Sequence, residues 1–324
     1  SGITEYLGWD SLECGKTMGI SSYGEPNDKI KSMISDSGGN TDRFALADFN
    51  EHKNVMVKMR PYDYISYSKD ADDKFKRNAD LAWKLQNEFE EYVYQRIMAT
   101  HRLSGSNNVI FTGGCALNCV ANYRILKRLP KEINLYVEPM SADCGVAMGA
   151  AYITYAREAK SKYKKKKLRP LKNLYHGQPL RYHYELQSNE FRVCEVTPPR
   201  VAELISEGNV VAIAQGKSEN GPRALGNRSI LYDPRAVDGK DVVNKVKKRE
   251  YWRPFAGTVL ADHAQDWFDM DRLYESPHMM YAVDVLKSAV DQIPCITHVD
   301  NTCRIQTLTE EQNPNYYKLI EAFY

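Results

Sequence analysis

Several features are scarce in this 324-residue chain, and each scarcity narrows what the protein can be. No stretch approaches the roughly 20 consecutive apolar residues of a membrane-spanning helix, so none is predicted and no membrane partner is expected. The first residues, Ser1-Gly-Ile-Thr-Glu, carry neither a basic segment nor an apolar core, and predict no secretory leader. Cysteines number seven, an odd count without a CxxC pair. That pattern predicts reduced thiols in a cytoplasmic protein rather than a disulfide framework. Cys115, Cys119 and Cys144 have no histidine nearby in sequence and are expected as small buried thiols, not as a metal cluster. Charge is nearly balanced, 44 Lys and Arg against 42 Asp and Glu, for a formal net of +2. This gives no general case for nucleic acid as a partner. With 43% hydrophobic and 27% charged residues, the composition is that of a soluble globular protein with room for two domains.

What the chain does contain is Lys217-Ser-Glu-Asn-Gly-Pro-Arg-Ala-Leu-Gly-Asn-Arg-Ser-Ile-Leu-Tyr-Asp-Pro-Arg235. It follows Val210-Val-Ala-Ile-Ala214, an apolar run expected as a buried strand and ended by Gln215-Gly216. Arg223, Arg228 and Arg235 are laid out among Gly221, Pro222 and Gly226. Glycine lets a backbone approach a ligand closely, and a guanidinium fork holds two phosphate or carboxylate oxygens at once. Any one of these arginines reads as a solvated charge on a turn. The whole run predicts an anion site.

Upstream, Glu13-Cys-Gly-Lys16-Thr-Met-Gly19-Ile-Ser-Ser-Tyr23-Gly24 reads by itself as a turn with a solvated lysine. Residues 35 to 70 are polar and weakly periodic, and predict an irregular insertion or short strands. Leu81, Leu85, Phe89, Val93 and Ile97 recur every four residues and predict a long amphipathic helix from about 73 to 103. A strand at Val109–Thr112, then Gly113-Gly114, then a helix from about 117 to 129 is expected next. Backbone N–H groups and a helix N-terminus in that arrangement can hold a phosphate, although a tight turn explains it too. The unit repeats: a strand from Asn134 to Met140, then Ser141-Ala-Asp143-Cys-Gly145, then a helix from about 146 to 159. Asp143 is placed to cap that helix, and also at a strand's C-terminal end, where α/β sheets present ligands. The lysine run before Pro170 predicts a linker and a domain boundary there. Beyond it the pattern predicts helices at 199–207, 241–247 and 316–323. Strands are predicted at 258–260, at 279–284, and at 296–300 and 302–307 around a turn at Asn301. Lys247, Arg249, Glu250 and Arg253 fall in one short segment, for which a surface salt bridge between Glu250 and Arg249 is the plain reading.

The wording of these segments adds a resemblance. Gly221-Pro-Arg-Ala-Leu-Gly-Asn-Arg-Ser-Ile-Leu231, followed by Asp233-Pro-Arg235, resembles the signature of the NodU/CmcH-type O-carbamoyltransferases. Lys247-Lys-Arg-Glu-Tyr-Trp-Arg253-Pro-Phe-Ala256 and Ile296-Thr-His-Val-Asp-Asn-Thr-Cys-Arg304-Ile-Gln-Thr307 resemble two further blocks of that family, in the same order. The Glu13–Gly24 segment, Gly113-Gly-Cys-Ala-Leu-Asn118 and Asp143-Cys-Gly-Val-Ala-Met-Gly-Ala-Ala151 resemble blocks of its transferase domain. The resemblance covers nearly all of this chain, and the chain corresponds to the middle of the family's length. The implied fold is α/β and α+β: residues 1–170 as the C-terminal part of an actin/Hsp70-like (ASKHA) domain, and 171–324 as a YrdC-like domain lacking its C-terminal block.

The chemistry implied is ATP-dependent. The YrdC-like part would take carbamoyl phosphate and ATP, release phosphate and pyrophosphate, and form carbamoyl-adenylate. The other domain would pass the carbamoyl group to the hydroxyl of a small-molecule acceptor. By this resemblance Arg223, Lys247, Arg253 and Arg304 bind carbamoyl phosphate and the nucleotide, with Arg228 structural. Gly113, Gly114 and Gly145 would hold the adenylate phosphate, and Asn118 would contact the nucleotide. In the related tRNA threonylcarbamoyl-transferases the matching aspartate is a metal ligand beside a His-x-x-x-His pair. The role is carried to Asp143, for a divalent iron or magnesium ion. No His-x-x-x-His occurs among the seven histidines here, so complementary chain segments are expected to supply the rest. Two other functions fit the residues: a tRNA threonylcarbamoyl-type enzyme, favoured by the Asp143 block and the lysine run, and a non-catalytic nucleotide-binding or assembly fragment. No residue announces the acceptor pocket or the base that would activate the hydroxyl.

Overall fold

The computed structural model describes residues 2–30, 32–36, 44–46, 73–162, 172–179 and 194–324. The expected boundary at Pro170, most of the lysine run, most of the 35–70 insertion and the segment from 180 to 193 lie outside the described residues. The architecture is mixed α/β. Short helices α1 (Gly2–Tyr6) and α2 (Cys14–Ser21) lead to an antiparallel pair, β1 (Ile34–Asp36) and β2 (Phe44–Leu46). The long helix α3 (Asp73–Ser104) follows, then β3 (Asn108–Phe111), a 3₁₀ turn at Gly114–Leu117, α4 (Cys119–Arg128), β4 (Asn134–Val137) and α5 (Asp143–Lys162). The four-residue period of α3 does what it predicts: Leu81, Val93 and Ile97 are buried, and the stripe packs on α2 and α4.

The second half runs α6 (Pro198–Ser206), β5 (Val211–Ala214), β6 (Arg228–Leu231), α7 (Gly239–Val246), β7 (Ala256–Leu260), α8 (Ala264–Trp267), β8 (Phe268–Asp269), β9 (Ala282–Val285), β10 (Thr302–Leu308) and α9 (Pro314–Phe323). Four strands form one mixed sheet in the order β7-β10-β9-β8, with β10 parallel to β7 and antiparallel to β9. Strand alternation sorts β10 into two faces. Cys303 and Ile305 enter the largest apolar cluster, with Val283, Val285 and, from the first half, Tyr123, Leu126 and Val137. Arg304 and Gln306 point the other way, where Gln306 donates to the Leu225 carbonyl in the arginine-rich stretch.

A second cluster also crosses the halves: Trp252 packs with Ile3, Leu7, Trp9 and Ile20. Arg272 adds a third link by donating to the carbonyls of Leu126 and Pro130 at the C-terminal end of α4, where a cation is favourable.

Several local expectations change. The 210–214 run is a strand but not a buried one: among the described residues β5 pairs only with β6, and Ala212 and Ala214 are exposed. The Glu13–Gly24 segment is not a turn but holds a two-turn helix, α2. The region 296–300 is a set of turns rather than a strand. There Ile296 and Thr297 bond back to the Ile293 carbonyl, and His298 Nε2 donates to the Phe255 carbonyl at 2.9 Å. Helix α5 begins at Asp143 itself, three residues early, after Ala142 at φ 72° turns the chain. Cys119 is buried as expected, whereas Cys115 is exposed.

Candidate anion-binding site

The stretch after β5 is shaped by a residue the sequence did not single out. Glu219 Oε1 accepts hydrogen bonds from the backbone N–H groups of Leu225, Asn227 and Arg228, at 2.7, 2.8 and 3.2 Å. One carboxylate thereby gathers the loop around itself, as an anion ligand would. Gly226, at φ 104°, allows the closest approach: a Cβ there would lie 2.2 Å from the Tyr316 ring. Arg228 is consumed by the loop, donating to the carbonyls of Gln215, Asn227 and Gly216. Arg235 turns back onto Asp233 at 2.6 Å.

Arg223 alone of the three aims away. Its Nη2 donates to the Leu117 carbonyl in the first half, at 3.1 Å, and its buried Nε has no partner among the described residues. The buried Nε of Arg304 likewise has none among them. The Arg304 charge, then burial, pushes the Arg223 pKa down from the ordinary arginine range to about 10. Lys247, at the end of α7, is lowered by partial burial and by Arg249, Arg253 and Arg304. Burial, with Arg253 and Arg304, brings Arg249 down to about 10. Five cations thus repel one another around Arg304. Among the described residues the only carboxylate ion-paired with any of them is Glu250, whose Oε2 lies 3.6 Å from Arg253. Burial would raise the Glu250 pKa, but Lys16, a backbone N–H and Arg253 hold it below its ordinary value. A cluster that sets five cations against one ion-paired carboxylate among the described residues has the electrostatics that would favour a polyanion.

Arg249 was expected to pair with Glu250 and does not. Its Nε donates to Asn244 Oδ1 at 2.5 Å, its Nη2 to the Pro254 carbonyl, and its guanidinium stacks on Phe255 at 4.3 Å. The signal for it was its place in the Lys247–Arg253 block. Arg223 and Arg304, each distant in sequence from the Lys247–Arg253 segment, share one charge cluster with Lys247, Arg253 and Arg249.

The first-half residues gather at one end of the parallel pair β3–β4. Gly113 holds φ 87°, ψ 171°, a conformation open only to glycine, and opens the 3₁₀ turn. A Cβ on Gly113 or Gly114 would meet nothing within 4 Å, so both face open space. Gly145 is packed instead, its missing Cβ lying 2.2 Å from the Met140 carbonyl oxygen. Asn118 caps α4 by accepting from the Ala121 N–H, and its amide donates to Gln86 Oε1 at 2.8 Å. Those partners make its geometry that of a cap. The arginine-rich loop lies over this strand end, through the Arg223–Leu117 bond and through Gly221, whose Cβ would sit 3.7 Å from the Pro139 carbonyl oxygen. Asp143 is exposed, and no ion pair joins it to the cluster. Among the described residues no group of three or more His, Cys, Asp or Glu side chains could hold a metal ion. Nor, among the described residues, is any helix long and apolar enough to cross a membrane.

The chain belongs to the carbamoyltransferase family. Its profile described as "Carbamoyltransferase N-terminus" matches residues 1–152, and "Carbamoyltransferase C-terminus" matches residues 202–324. Among curated proteins the chain is 31% identical over 334 residues to "Nodulation protein NolNO" of Sinorhizobium fredii, covering 98% of this chain and 47% of that one. It is also 31% identical to "Nodulation protein NolO" of Bradyrhizobium diazoefficiens, over 98% of this chain and 58% of the relative. To the "3'-hydroxymethylcephem-O-carbamoyltransferase" of Streptomyces clavuligerus it is 29% identical over 229 residues, 70% of this chain and 41% of that protein. The chain spans about half the length of the curated relatives it matches.

Proposed function

We propose that the protein is an ATP-dependent O-carbamoyltransferase or the central part of one. In this reading the first half is part of an actin/Hsp70-like domain and the second half is YrdC-like. One observation carries the reading: Arg223 and Arg304 each bury an Nε that has no partner among the described residues, inside a cluster where Glu250 is the one ion-paired carboxylate among them. Carbamoyl phosphate and the triphosphate of ATP bring several negative charges to one cavity, and fixed cations suit both their binding and the charge that develops at phosphorus.

The reaction balances as follows. Carbamoyl phosphate and water give carbamate and phosphate. A carbamate oxygen attacks the α-phosphorus of ATP, breaking its bond to the bridging oxygen, and pyrophosphate leaves. The acceptor hydroxyl then attacks the carbamoyl carbon, AMP departs with the bridging oxygen, and the hydroxyl proton passes to a base. Arg223, Lys247, Arg249, Arg253 and Arg304 hold phosphates in the first two steps. Gly113, Gly114 and Asn118 border the strand end over which the adenylate would pass. The acceptor is a small molecule with a free hydroxyl, as the name of the cephem relative states for that enzyme. A metal at Asp143 would need its other ligands from a further segment.

The proposal includes complementary polypeptide for a specific reason. Register partners Ile110 and Tyr136 lie on one face of β3–β4 and are 70% and 51% exposed, and α5 exposes Val146, Ile153 and Tyr155. An apolar sheet face and helix of this kind are ordinarily covered. The test is release of AMP and pyrophosphate from ATP, with and without carbamoyl phosphate, beside Arg253→Ala. Pyrophosphate release that needs both carbamoyl phosphate and Arg253 supports the adenylate step. Release indifferent to both refutes it.

A further inference from the structure

Lys16 lies in the first half, yet it touches the edge of the cation cluster. Its Nζ is 2.6 Å from Glu13 Oε1 and 2.9 Å from Glu250 Oε1, its side chain is only 14% exposed, and it lies over the Trp9 ring at 5.9 Å. Helix α2 delivers it there. Gly19 on the same helix abuts Trp252, since a Cβ at Gly19 would be 3.2 Å from that ring, and Trp252 packs at 5.6 Å from Trp9. The Lys247–Arg253 segment is therefore seated in a first-half socket, with Lys16 at its polar rim.

Glu250 is shared between two cations. One oxygen makes the short pair with Lys16, and the other stands 3.6 Å from Arg253, longer than a hydrogen bond. A carboxylate free of Lys16 would be drawn onto Arg253, where a bidentate pair is the favoured geometry. That pair would neutralise the guanidinium a phosphate needs.

We propose that Lys16 is a positioning residue for the cluster: by holding Glu250 it keeps Arg253 available to phosphate oxygens. The inference rests on the anion-site reading above, and it assigns the first half a part in anion binding by the second.

The experiment is calorimetric titration of pyrophosphate into the full chain, with circular dichroism of each variant. Wild-type protein is expected to bind. Lys16→Met is expected to weaken binding about tenfold, the scale of one charge-assisted contact. Lys16→Arg is expected to stay close to wild type. The double variant Lys16→Met with Glu250→Gln should recover most of the loss, because no carboxylate remains to occupy Arg253. Glu250→Gln alone, which keeps Lys16, should bind severalfold more tightly than wild type, and it decides the matter even if Lys16→Met does not fold. Recovery in the double variant larger than the gain Glu250→Gln gives alone is a readout that a merely structural lysine would not produce. Equal binding by wild type and Lys16→Met, or unchanged or weaker binding by Glu250→Gln, overturns the proposal. No binding by wild type overturns the anion-site reading itself.

Discussion

Arg223→Met is expected to make the ligand-free protein more stable while removing most of its response to pyrophosphate. The Arg304 charge, with burial second, takes the Arg223 pKa from the ordinary arginine range down to about 10. A displacement of that size corresponds to about 3 kcal/mol held against the charged form. The folded value lies below the unfolded one, so the penalty applies in full below about pH 10 and fades only as the pH rises toward the value of an unfolded arginine. At neutral pH all of it is present. Methionine keeps much of the stem's packing and gives up the hydrogen bond to the Leu117 carbonyl, about 1.5–3 kcal/mol for a charged donor. The net gain is then at most about 2 kcal/mol, up to a few degrees in Tm for a chain of this size. Wild-type protein at pyrophosphate concentrations near 100 times Kd should gain about 3 kcal/mol. Thermal denaturation followed by circular dichroism, with and without pyrophosphate, checks both effects. A variant less stable than wild type that still responds fully to pyrophosphate would refute the argument, because the cluster would then be neither repulsive nor anion-binding.

Two further outcomes follow from the same geometry. Glu219→Gln weakens three backbone contacts at once, and should cost about 2 kcal/mol in urea denaturation while lowering pyrophosphate affinity. Unchanged stability and affinity would mean that the loop holds its shape without the carboxylate. Burial takes the His278 pKa from 6.5 down to about 4, below the unfolded value, so the neutral ring is the form the fold accepts. Stability should be unaffected above pH 6.5 and should fall by about 3 kcal/mol between pH 6.5 and 4. His278→Gln should flatten that part of the curve, and an equally steep fall in the variant would assign it to other groups.

Local pattern was enough for much of this protein. The four-residue period of α3, the Gly113–Gly114 stop after β3 and the apolar runs of β7 and β10 are local in cause, since one face of each element must leave water. The block wording also pointed to the family and to four cations, because close backbone approach and fixed charge demand particular residue types at particular places. What sequence could not supply was partnership. Lys16 and Glu250 are separated by most of the chain, and each alone reads as a solvated charge. Only the packing of Trp252 into the socket of Trp9 and Ile20 makes them neighbours. Arg249 next to Glu250 looked like an ion pair, but the turn after α7 sends its guanidinium to Asn244 and Phe255. The run at 210–214 was apolar enough for a core strand, yet burial depends on what lies across the sheet, and among the described residues β5 has only β6 beside it. Sequence determined the residue types and the elements. Tertiary structure decided which charges repel and which are paired, because electrostatic energy depends on distance and solvent exposure, and neither is a property of the chain's order.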